Sequence, residues 1–245
     1  MKDGDYNGKS AASRKSALAN VVKGQDQEIV CLQELGDTSD FYHFNAKSFV
    51  SSLDNNYSYY QAGTTAVIWN SNLYEKVDEG YVDCTVSSGG DGYSRECAWV
   101  QLKQIASGVT FYVVSAHFDM NKPNDSASIL ANYFKGKDRV VIAGDFNADE
   151  TRKSVQNTFS SAGFVNAYTD FTDVLDANAN LQDNWNHDED GYPADYGLTG
   201  TFPSNGTILD WGYVSKNFSV TEFEVVSSAG TAASDHYPIR MVVEF

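Results

Sequence analysis

Basic residues are scarce in this sequence of 245 residues. It carries 17 Lys and Arg residues against 33 Asp and Glu residues, which gives a formal net charge of −16 at pH 7. Nucleic-acid-binding proteins that depend on phosphate contacts usually show the opposite balance. A uniformly acidic surface repels DNA, RNA and anionic membranes. A polyanionic substrate must therefore be met at a locally compensated site, most simply by bound cations. The alternative explanation of the carboxylates is solubility alone.

Long hydrophobic runs are also missing. No stretch approaches the roughly 20 apolar residues that span a bilayer, and the first residues, Met1 to Asp5, lack the apolar run of a signal peptide. We therefore expect no stable membrane insertion, while secreted and cytoplasmic locations both stay open. Apolar segments occur throughout the chain without repeats or linkers, so we expect one domain over residues 1–245 in a monomeric protein.

Cysteine is rare as well, with three residues that form no metal-binding motif and leave at least one thiol unpaired. Cys31 lies in an apolar run, where a small hydrophobic side chain packs well. Cys84 and Cys97 flank a glycine-rich loop. They can pair if that loop closes a hairpin, and otherwise they stay thiols.

The pattern of apolar residues predicts a mixture of short strands and a few helices. Helical spacing occurs at residues 12–22, 44–53, 126–134 and 151–159. Strand patterns occur at residues 28–34, 57–60, 64–69, 74–84, 140–145, 208–214, 218–226 and 236–245, and a hairpin is predicted from 97–104 and 109–115. Residues 170–207 are rich in Asp, Asn and Gly, and we interpret them as a long irregular excursion.

The stretch from Val140 to Asp149 carries the clearest chemical signal. Its apolar run predicts a buried strand, and directly after Gly144 it presents Asp145 and Asn147, two residues apart. Residues two apart on an extended backbone point to the same side. A carboxylate and a carboxamide therefore emerge together where a buried strand reaches solvent, although Gly, Asp and Asn are also ordinary turn residues.

Polar groups are associated with four other predicted strands. They are Glu34, His117, Asp210, and the pair Asp235 and His236. Each has an ordinary explanation, a structural histidine or a strand-capping aspartate. Their occurrence together at strand ends requires a common explanation, and a catalytic site provides one.

These residues stand in motifs that resemble those of the endonuclease/exonuclease/phosphatase superfamily, in the same order along the chain. The motifs are Leu32-Gln33-Glu34, Ser115-Ala116-His117-Phe118-Asp119, Gly144-Asp145-Phe146-Asn147-Ala148, Leu209-Asp210-Trp211 and Ser234-Asp235-His236-Tyr237-Pro238. The resemblance runs from about Ser10 to Phe245. It implies an α+β fold, a four-layer α/β/β/α sandwich with two mainly antiparallel sheets face to face and a site at one edge.

The resemblance also implies hydrolysis of a phosphate ester with a divalent cation, Mg²⁺ or alternatively Mn²⁺. Glu34 would be the main metal ligand, with Asp235 in or near its coordination shell. A hard cation of this kind offsets the repulsion between converging carboxylates and neutralises the substrate phosphate. Arg95, in a stretch that resembles the bacterial members, would face the substrate phosphate; the alternative is a surface ion pair with Glu96 or a neighbour.

The remaining roles follow from the same resemblance. His236 would pair with Asp210 and either take a proton from the attacking water or hold the phosphate. Asp145 would position the water or assist proton transfer, and Asn147 would donate a hydrogen bond to the developing charge. His117 would protonate the leaving oxygen or hydrogen-bond the phosphate.

One departure concerns the beginning of the chain. Family members start with a strand that ends in a site asparagine, and Asn7, 27 residues before Glu34, is the only candidate here. Residues 1–5 are too polar for a core strand. We therefore expect that the first strand is absent, that Asn7 lies in the loop after it, and that a sheet edge is left exposed with impaired activity.

The motifs do not identify the ester. The leading interpretation is a nuclease-like phosphodiesterase. A phosphomonoesterase or a phospholipid-head-group hydrolase, of the inositol phosphate or sphingomyelin type, is the second. A non-catalytic binding module that retains the fold is an alternative of another class.

Overall fold

The computed structural model of the protein describes residues 10–36, 44–53, 56–149, 152–168, 171–176 and 200–245. The helices are α1 (Ala11–Gly24), α2 (Ala46–Val50), α3 (Pro123–Phe134) and α4 (Lys153–Ala162). The strands are β1 (Ile29–Leu32), β2 (Tyr57–Ala62), β3 (Thr65–Asn70), β4 (Tyr74–Asp83), β5 (Glu96–Gln104), β6 (Thr110–His117), β7 (Val140–Asp145), β8 (Phe164–Asn166), β9 (Phe171–Asp176), β10 (Asp210–Ser215), β11 (Ser219–Val225) and β12 (Ile239–Glu244).

One layer of the fold is a continuous six-stranded sheet with the order β4-β5-β6-β7-β10-β8. All its neighbouring strands are antiparallel except β6 and β7, which are parallel. Parallel neighbours need a crossover connection, and α3 provides it. Because β6 and β7 run in the same direction, both deliver their last residues to the same edge of the sheet.

The facing layer consists of two three-stranded sheets, with the orders β1-β3-β2 and β12-β11-β9. Both pack against the six-stranded sheet. Ile29 and Cys31 of the first, and Ile239, Met241 and Val243 of the second, contact its hydrophobic core. Strand β1 is an edge of one sheet and β12 is an edge of the other, and both line one cavity.

Helices cover both outer faces. Leu18 and Val22 of α1 and Phe49 of α2 form a core with Leu32 and Ile68 of the β1-β3-β2 sheet. On the opposite side, α3 and α4 bury Leu130, Phe134 and Phe159 against the six-stranded sheet. The predicted α+β sandwich of helix, sheet, sheet and helix layers is therefore confirmed.

Most predicted elements occur, including the hairpin of β5 and β6. The prediction for residues 170–207 is wrong in part, because β9 lies within that range and pairs in parallel with β11. A parallel pairing with a strand more than 40 residues further along leaves no turn signal in the local sequence. Residues 177–199 and Asn7 lie outside the described residues. No described helix is long and apolar enough to cross a bilayer.

The three cysteines are free thiols, so Cys84 and Cys97 are not paired. Both are completely buried. The hydrogen bond to Cys97, together with burial, raises the pKa of Cys84. Both thiols therefore act as small core side chains.

Candidate active site

The strand register places three predicted site residues in one row at the edge of the six-stranded sheet. His117 at the end of β6 is opposite Asp145 at the end of β7, and Asp145 is opposite Asp210 at the start of β10. Gly144 allows this close approach, because a Cβ at that position would lie 2.0 Å from the carbonyl oxygen of Ala116. Neighbouring strands thus hold a histidine and two carboxylates on rigid backbone.

The turn after β7 orients Asp145 and Asn147. Asn147 has a φ of +47°, a left-handed conformation that asparagine tolerates better than most residues. Its backbone N–H donates to Oδ1 of Asp145 at 2.8 Å, and its side-chain Nδ2 donates to the carbonyl oxygen of Phe118 at 2.8 Å. The turn thereby leaves Oδ2 of Asp145 directed towards the two histidines, and the Asn147 amide has a second N–H.

His236 and Asp210 form a hydrogen-bonded pair, with 2.7 Å between Nδ1 and Oδ2. Burial alone lowers the pKa of His236, but the Asp210 and Asp145 carboxylates outweigh it and raise the pKa to about 9. The ring of Phe202 lies 4.9 Å from the imidazole. The buried Oγ1 of Thr201 accepts a hydrogen bond from the Asp210 backbone N–H at 3.1 Å. The imidazole is therefore charged at neutral pH and held in one orientation.

Asp145 lies between the two histidines. Its Oδ2 is 3.8 Å from Nε2 of His117 and 3.9 Å from Nε2 of His236. Burial, and then the charge of Asp210, raise the pKa of Asp145. Burial and the charge of Arg95 lower the pKa of His117 to about 3. The two imidazoles therefore differ in charge at neutral pH, although both lie within 4 Å of the same carboxylate oxygen, Oδ2 of Asp145.

Arg95 is buried, with 5% of its surface exposed, and it contacts the site through His117. Its Nη1 lies 2.7 Å from Nε2 of His117, and its Nη2 forms an ion pair with Asp91. A guanidinium only donates hydrogen bonds, so His117 accepts at Nε2 and carries its proton at Nδ1. That Nδ1 is buried and has no hydrogen-bond partner among the described residues. The alternative considered for Arg95, an ion pair with a neighbour, is present with Asp91, but it is buried rather than on the surface.

Asp91 is a contributor that the sequence analysis missed. Besides its ion pair with Arg95, its Oδ2 accepts the Met120 backbone N–H at 3.0 Å, and its own N–H donates to Oδ2 of Asp119 at 2.8 Å. Burial raises the pKa of Asp91, but its bonds to Arg95 and to backbone N–H groups lower it to about 2. The sequence signal for Asp91 was its position four residues before the candidate Arg95. Thr201, whose hydroxyl contacts the Asp210 backbone, was also missed, and no sequence signal points to it.

The two predicted metal ligands occupy different positions. Glu34 follows β1 with a φ of +56° and lines the same cavity as Asp145, Asp210 and His236. Asp235 is not among the residues that line this cavity, although its charge helps to raise the pKa of His236. Within the described ranges, no group of three or more His, Cys, Asp or Glu side chains has a geometry that could hold a metal ion. The structure therefore brings Glu34 to the site without an assembled ligand set.

The fold and the motifs can be compared with known proteins. No curated protein matches the chain. Among solved structures, a Bacteroides thetaiotaomicron mannosyl-6-phosphatase has 21% sequence identity and a TM-score of 0.72, with 96% of this chain and 92% of that chain covered. The human Nocturnin catalytic domain with bound sulfate anion has 17% identity and a TM-score of 0.70, with 98% and 88% covered. D. rerio TDP2 complexed with single-strand DNA product has 14% identity and a TM-score of 0.66, with 96% and 93% covered.

At these identities the likeness to solved structures shows the fold alone. The family comparison is more specific, because the model of the endonuclease/exonuclease/phosphatase family matches residues 5–236, which include the whole row of His117, Asp145 and Asp210 as well as His236. The chain therefore belongs to the endonuclease/exonuclease/phosphatase family.

Proposed function

We propose that this protein hydrolyses phosphate esters at the site formed by His117, Asp145, Asp210 and His236. The observation that carries the proposal is the position of Asp145, whose Oδ2 lies 3.8 Å and 3.9 Å from two imidazoles in different charge states. Pairs of titratable groups with pKa values moved apart are typical of acid–base sites. Members of this family are generally phosphoesterases, and that chemistry fits such a site.

Each side chain has a role that its contacts support. Asp145, with its raised pKa, is suited to accept the proton of the attacking water near neutral pH. The charged His236, held by Asp210, binds the phosphate and stabilises the negative charge that develops on it. The free N–H of the Asn147 amide adds a hydrogen bond.

His117 takes a more limited role than the sequence suggested. It is neutral and accepts a hydrogen bond from Arg95 at Nε2, so in this arrangement it has no proton to give from that atom. We assign His117 to orienting Arg95 beside the phosphate. His236 is then the residue that carries a proton for the leaving oxygen.

The donor chemistry of the site suits a hard divalent cation. Glu34, Asp145 and Asp210 line one cavity, and burial together with the charge of Asp210 raises the pKa of Asp145. Glu34 would hold Mg²⁺ or Mn²⁺ there, with Asp235 nearby, and the ion would neutralise charge on the phosphate.

For the substrate, we infer a nuclease-like phosphodiester first. The description of the matching family names endonucleases and exonucleases, and one neighbouring structure contains a single-strand DNA product. A small phosphomonoester is the second candidate, because the buried guanidinium of Arg95 beside His117 suits one terminal phosphate and another neighbour is a mannosyl-6-phosphatase. The net charge of −16 gives little support to a long polyanion.

The test compares bis-p-nitrophenyl phosphate with p-nitrophenyl phosphate, in Mg²⁺, in Mn²⁺ and in EDTA. We expect metal-dependent cleavage that is abolished in Asp145→Ala and Asp145→Asn. Faster diester cleavage supports the phosphodiesterase, and monoester cleavage alone supports the second candidate. Turnover that persists unchanged in EDTA or in both variants would contradict the proposed site.

A measurement of cation binding together with turnover distinguishes the enzyme from a binding module that only retains the fold. Mg²⁺ or Mn²⁺ should raise the melting temperature of the protein, because a ligand that binds only the folded state stabilises it. The Glu34→Ala variant should lose this shift, and the exposed Glu75→Ala variant on β4 serves as its control. A working cation site without any turnover would favour the binding module.

A further inference from the structure

Two exposed apolar side chains lie on the loops beside Arg95. Tyr93 is 64% exposed and Met120 is 51% exposed, although residues of these types are usually much more buried. Tyr93 belongs to the loop between β4 and β5, and Met120 belongs to the loop between β6 and α3. Scattered exposed apolar residues are ordinary, whereas apolar residues brought together next to a candidate site are typical of a binding surface.

The carboxylate of Asp91 fixes the two loops relative to one another. Its Oδ1 accepts the backbone N–H of Tyr93 at 3.0 Å, and its Oδ2 accepts the backbone N–H of Met120 at 3.0 Å. The same Oδ2 forms the ion pair with Arg95. Only 3% of the Asp91 side chain is exposed. One buried group therefore holds Tyr93, Met120 and the guanidinium at fixed positions, which a preorganised binding surface requires.

A short series of contacts connects Tyr93 to the candidate active site. Cζ of Arg95 lies 5.7 Å from the centroid of the Tyr93 ring. Nη1 of Arg95 lies 2.7 Å from Nε2 of His117, and that Nε2 lies 3.8 Å from Oδ2 of Asp145. A phosphate bound beside Arg95 would therefore have the Tyr93 ring within reach of the group that is esterified to it.

The cation–π contact with Arg95 does not by itself account for Tyr93. Such a contact explains why the ring lies near the guanidinium. A ring that served only as a cover would be buried together with the group that it covers, and Arg95 is buried. Tyr93 instead leaves most of its surface open to solvent. That open surface is available to a second partner.

The carboxylates of the two loops are already engaged. Oδ1 of Asp119 accepts the backbone N–H groups of Asn121 and Lys122, each at 2.8 Å, and its Oδ2 accepts that of Asp91. Both oxygens of Asp91 accept hydrogen bonds as well. A sugar ring is recognised through polar side chains that bind its hydroxyl groups, whereas a nucleobase stacks through its flat face on an aromatic ring. With these carboxylates occupied, the tyrosine ring and the thioether favour a nucleobase.

We propose that Tyr93 and Met120 form a stacking surface for the nucleobase of a nucleotide whose phosphate lies beside Arg95. This inference rests on the proposed function, which places the phosphate at that site. The base stacks on the Tyr93 ring, and the flexible Met120 side chain packs against it. Both are specificity-determining residues, because they contact the group attached to the phosphate rather than the reacting atoms. Every base has a π-face, so this surface selects nucleotides over other phosphate esters without selecting one base.

The experiment measures the binding of two ligands that differ in the base alone, thymidine 5′-phosphate and 2-deoxyribose 5-phosphate. Isothermal titration calorimetry in EDTA gives both dissociation constants under conditions in which the proposed turnover stops. Glucose 6-phosphate is the third ligand. The variants are Tyr93→Ala and Tyr93→Phe. Tyr59→Ala is the matched control, because Tyr59 is an exposed tyrosine on β2 and no residue of β2 lines the cavity of the site. Turnover of bis-p-nitrophenyl phosphate in Mg²⁺ is measured separately on the same samples.

We expect the unmodified protein to bind thymidine 5′-phosphate about tenfold more tightly than 2-deoxyribose 5-phosphate, in line with the contribution of one stacked base. Tyr93→Ala should abolish most of this preference. Tyr93→Phe should keep it, because the ring and not the hydroxyl group stacks, and Tyr59→Ala should keep it as well.

The stacking surface would be overturned by equal binding of the two ligands to the unmodified protein. It would also be overturned if Tyr93→Ala weakened both ligands by the same factor, because Tyr93 would then act only through Arg95. An equally large preference for glucose 6-phosphate that depends on Tyr93 would overturn the assignment to a nucleobase. A preference for thymidine 5′-phosphate that is lost in Tyr93→Ala, without turnover of bis-p-nitrophenyl phosphate, would support the surface and contradict the proposed hydrolysis, so the two failures are distinguishable.

Discussion

The two layers of the sandwich differ in continuity. The six-stranded sheet is unbroken from β4 to β8, and its central strands completely bury Val114, Val140 and Ile142, each at 0% exposure. The facing layer is divided between β1 and β12, and the strands at that division are only partly buried. The hydrophobic core therefore lies between one continuous sheet and one layer that is divided into two sheets.

This difference divides the candidate site as well. His117, Asp145 and Asp210 are fixed by the register of three neighbouring strands of the complete sheet. Glu34 follows β1 and His236 precedes β12, so these two lie on opposite sides of the division. A site positioned on strands is precise only where those strands are held by neighbours. Both residues line the cavity between the two parts of this layer.

The largest expected effect is the loss of activity in His236→Ala. The imidazole is paired with Asp210, and in the proposed site it carries the charge next to the phosphate; groups of this kind contribute about 10²–10⁴-fold to rate. We expect a fall of about 10³-fold or more in kcat/KM for the better nitrophenyl ester, with circular dichroism unchanged. The exposed Tyr81→Ala variant on β4 is the control and should keep normal turnover. Near-normal turnover in His236→Ala would remove this residue from the site.

The next effect compares the same substitution in the two layers. Phe146 is completely buried, with ring centroids of Phe118 at 4.5 Å and Phe159 at 5.4 Å, whereas Phe245 after β12 is 47% exposed. Phe146→Ala should lower the free energy of unfolding by about 3–5 kcal/mol. Phe245→Ala should cost about 1 kcal/mol or less, since surface sites tolerate change. Urea denaturation measures both, and equal costs would show that the division of the facing layer has no energetic consequence.

The sequence allowed all strands but one of each layer to be predicted, the exceptions being β8 in the complete layer and β9 in the divided one. Apolar runs such as that of β7 and the hairpin of β5 and β6 are local signals, and the structure contains both. The strand β9 could not be predicted, because its stability comes from pairing with the distant β11 rather than from its own alternation. Likewise, Asp145 stood out at the end of a strand, but the contacts of Asp91 and Thr201 arise only when loops fold onto the sheet edge.

A third effect concerns the pH dependence of stability that arises from the pair of His236 and Asp210. The pKa of His236 is raised to about 9 in the folded protein, above the unfolded value of about 6.5. The pair therefore contributes stability below pH 6.5, and this is lost as the pH rises towards 9. The contribution of the His236–Asp210 pair to the free energy of unfolding would be at most about 3 kcal/mol. Asp210→Asn should lower the imidazole pKa and flatten the stability profile over this window.

The measurement is an NMR titration of the His236 imidazole with parallel urea denaturation, both in EDTA so that no divalent cation competes. The substitution Asp138→Asn, at an exposed carboxylate on the loop before β7, is the matched control. If His236 titrates near its ordinary value in the unmodified protein, the hydrogen bond to Asp210 does not hold a charged imidazole.

The smallest effect tests whether the division itself limits packing. Ile142→Val removes one methylene group from a completely buried position of β7 and should cost about 1 kcal/mol. Ile239→Val makes the same change at the partly buried start of β12 and should cost less, because part of that side chain already contacts solvent. Urea denaturation of the two variants measures both costs. Equal costs at the two positions would show that β12 is packed as completely as β7.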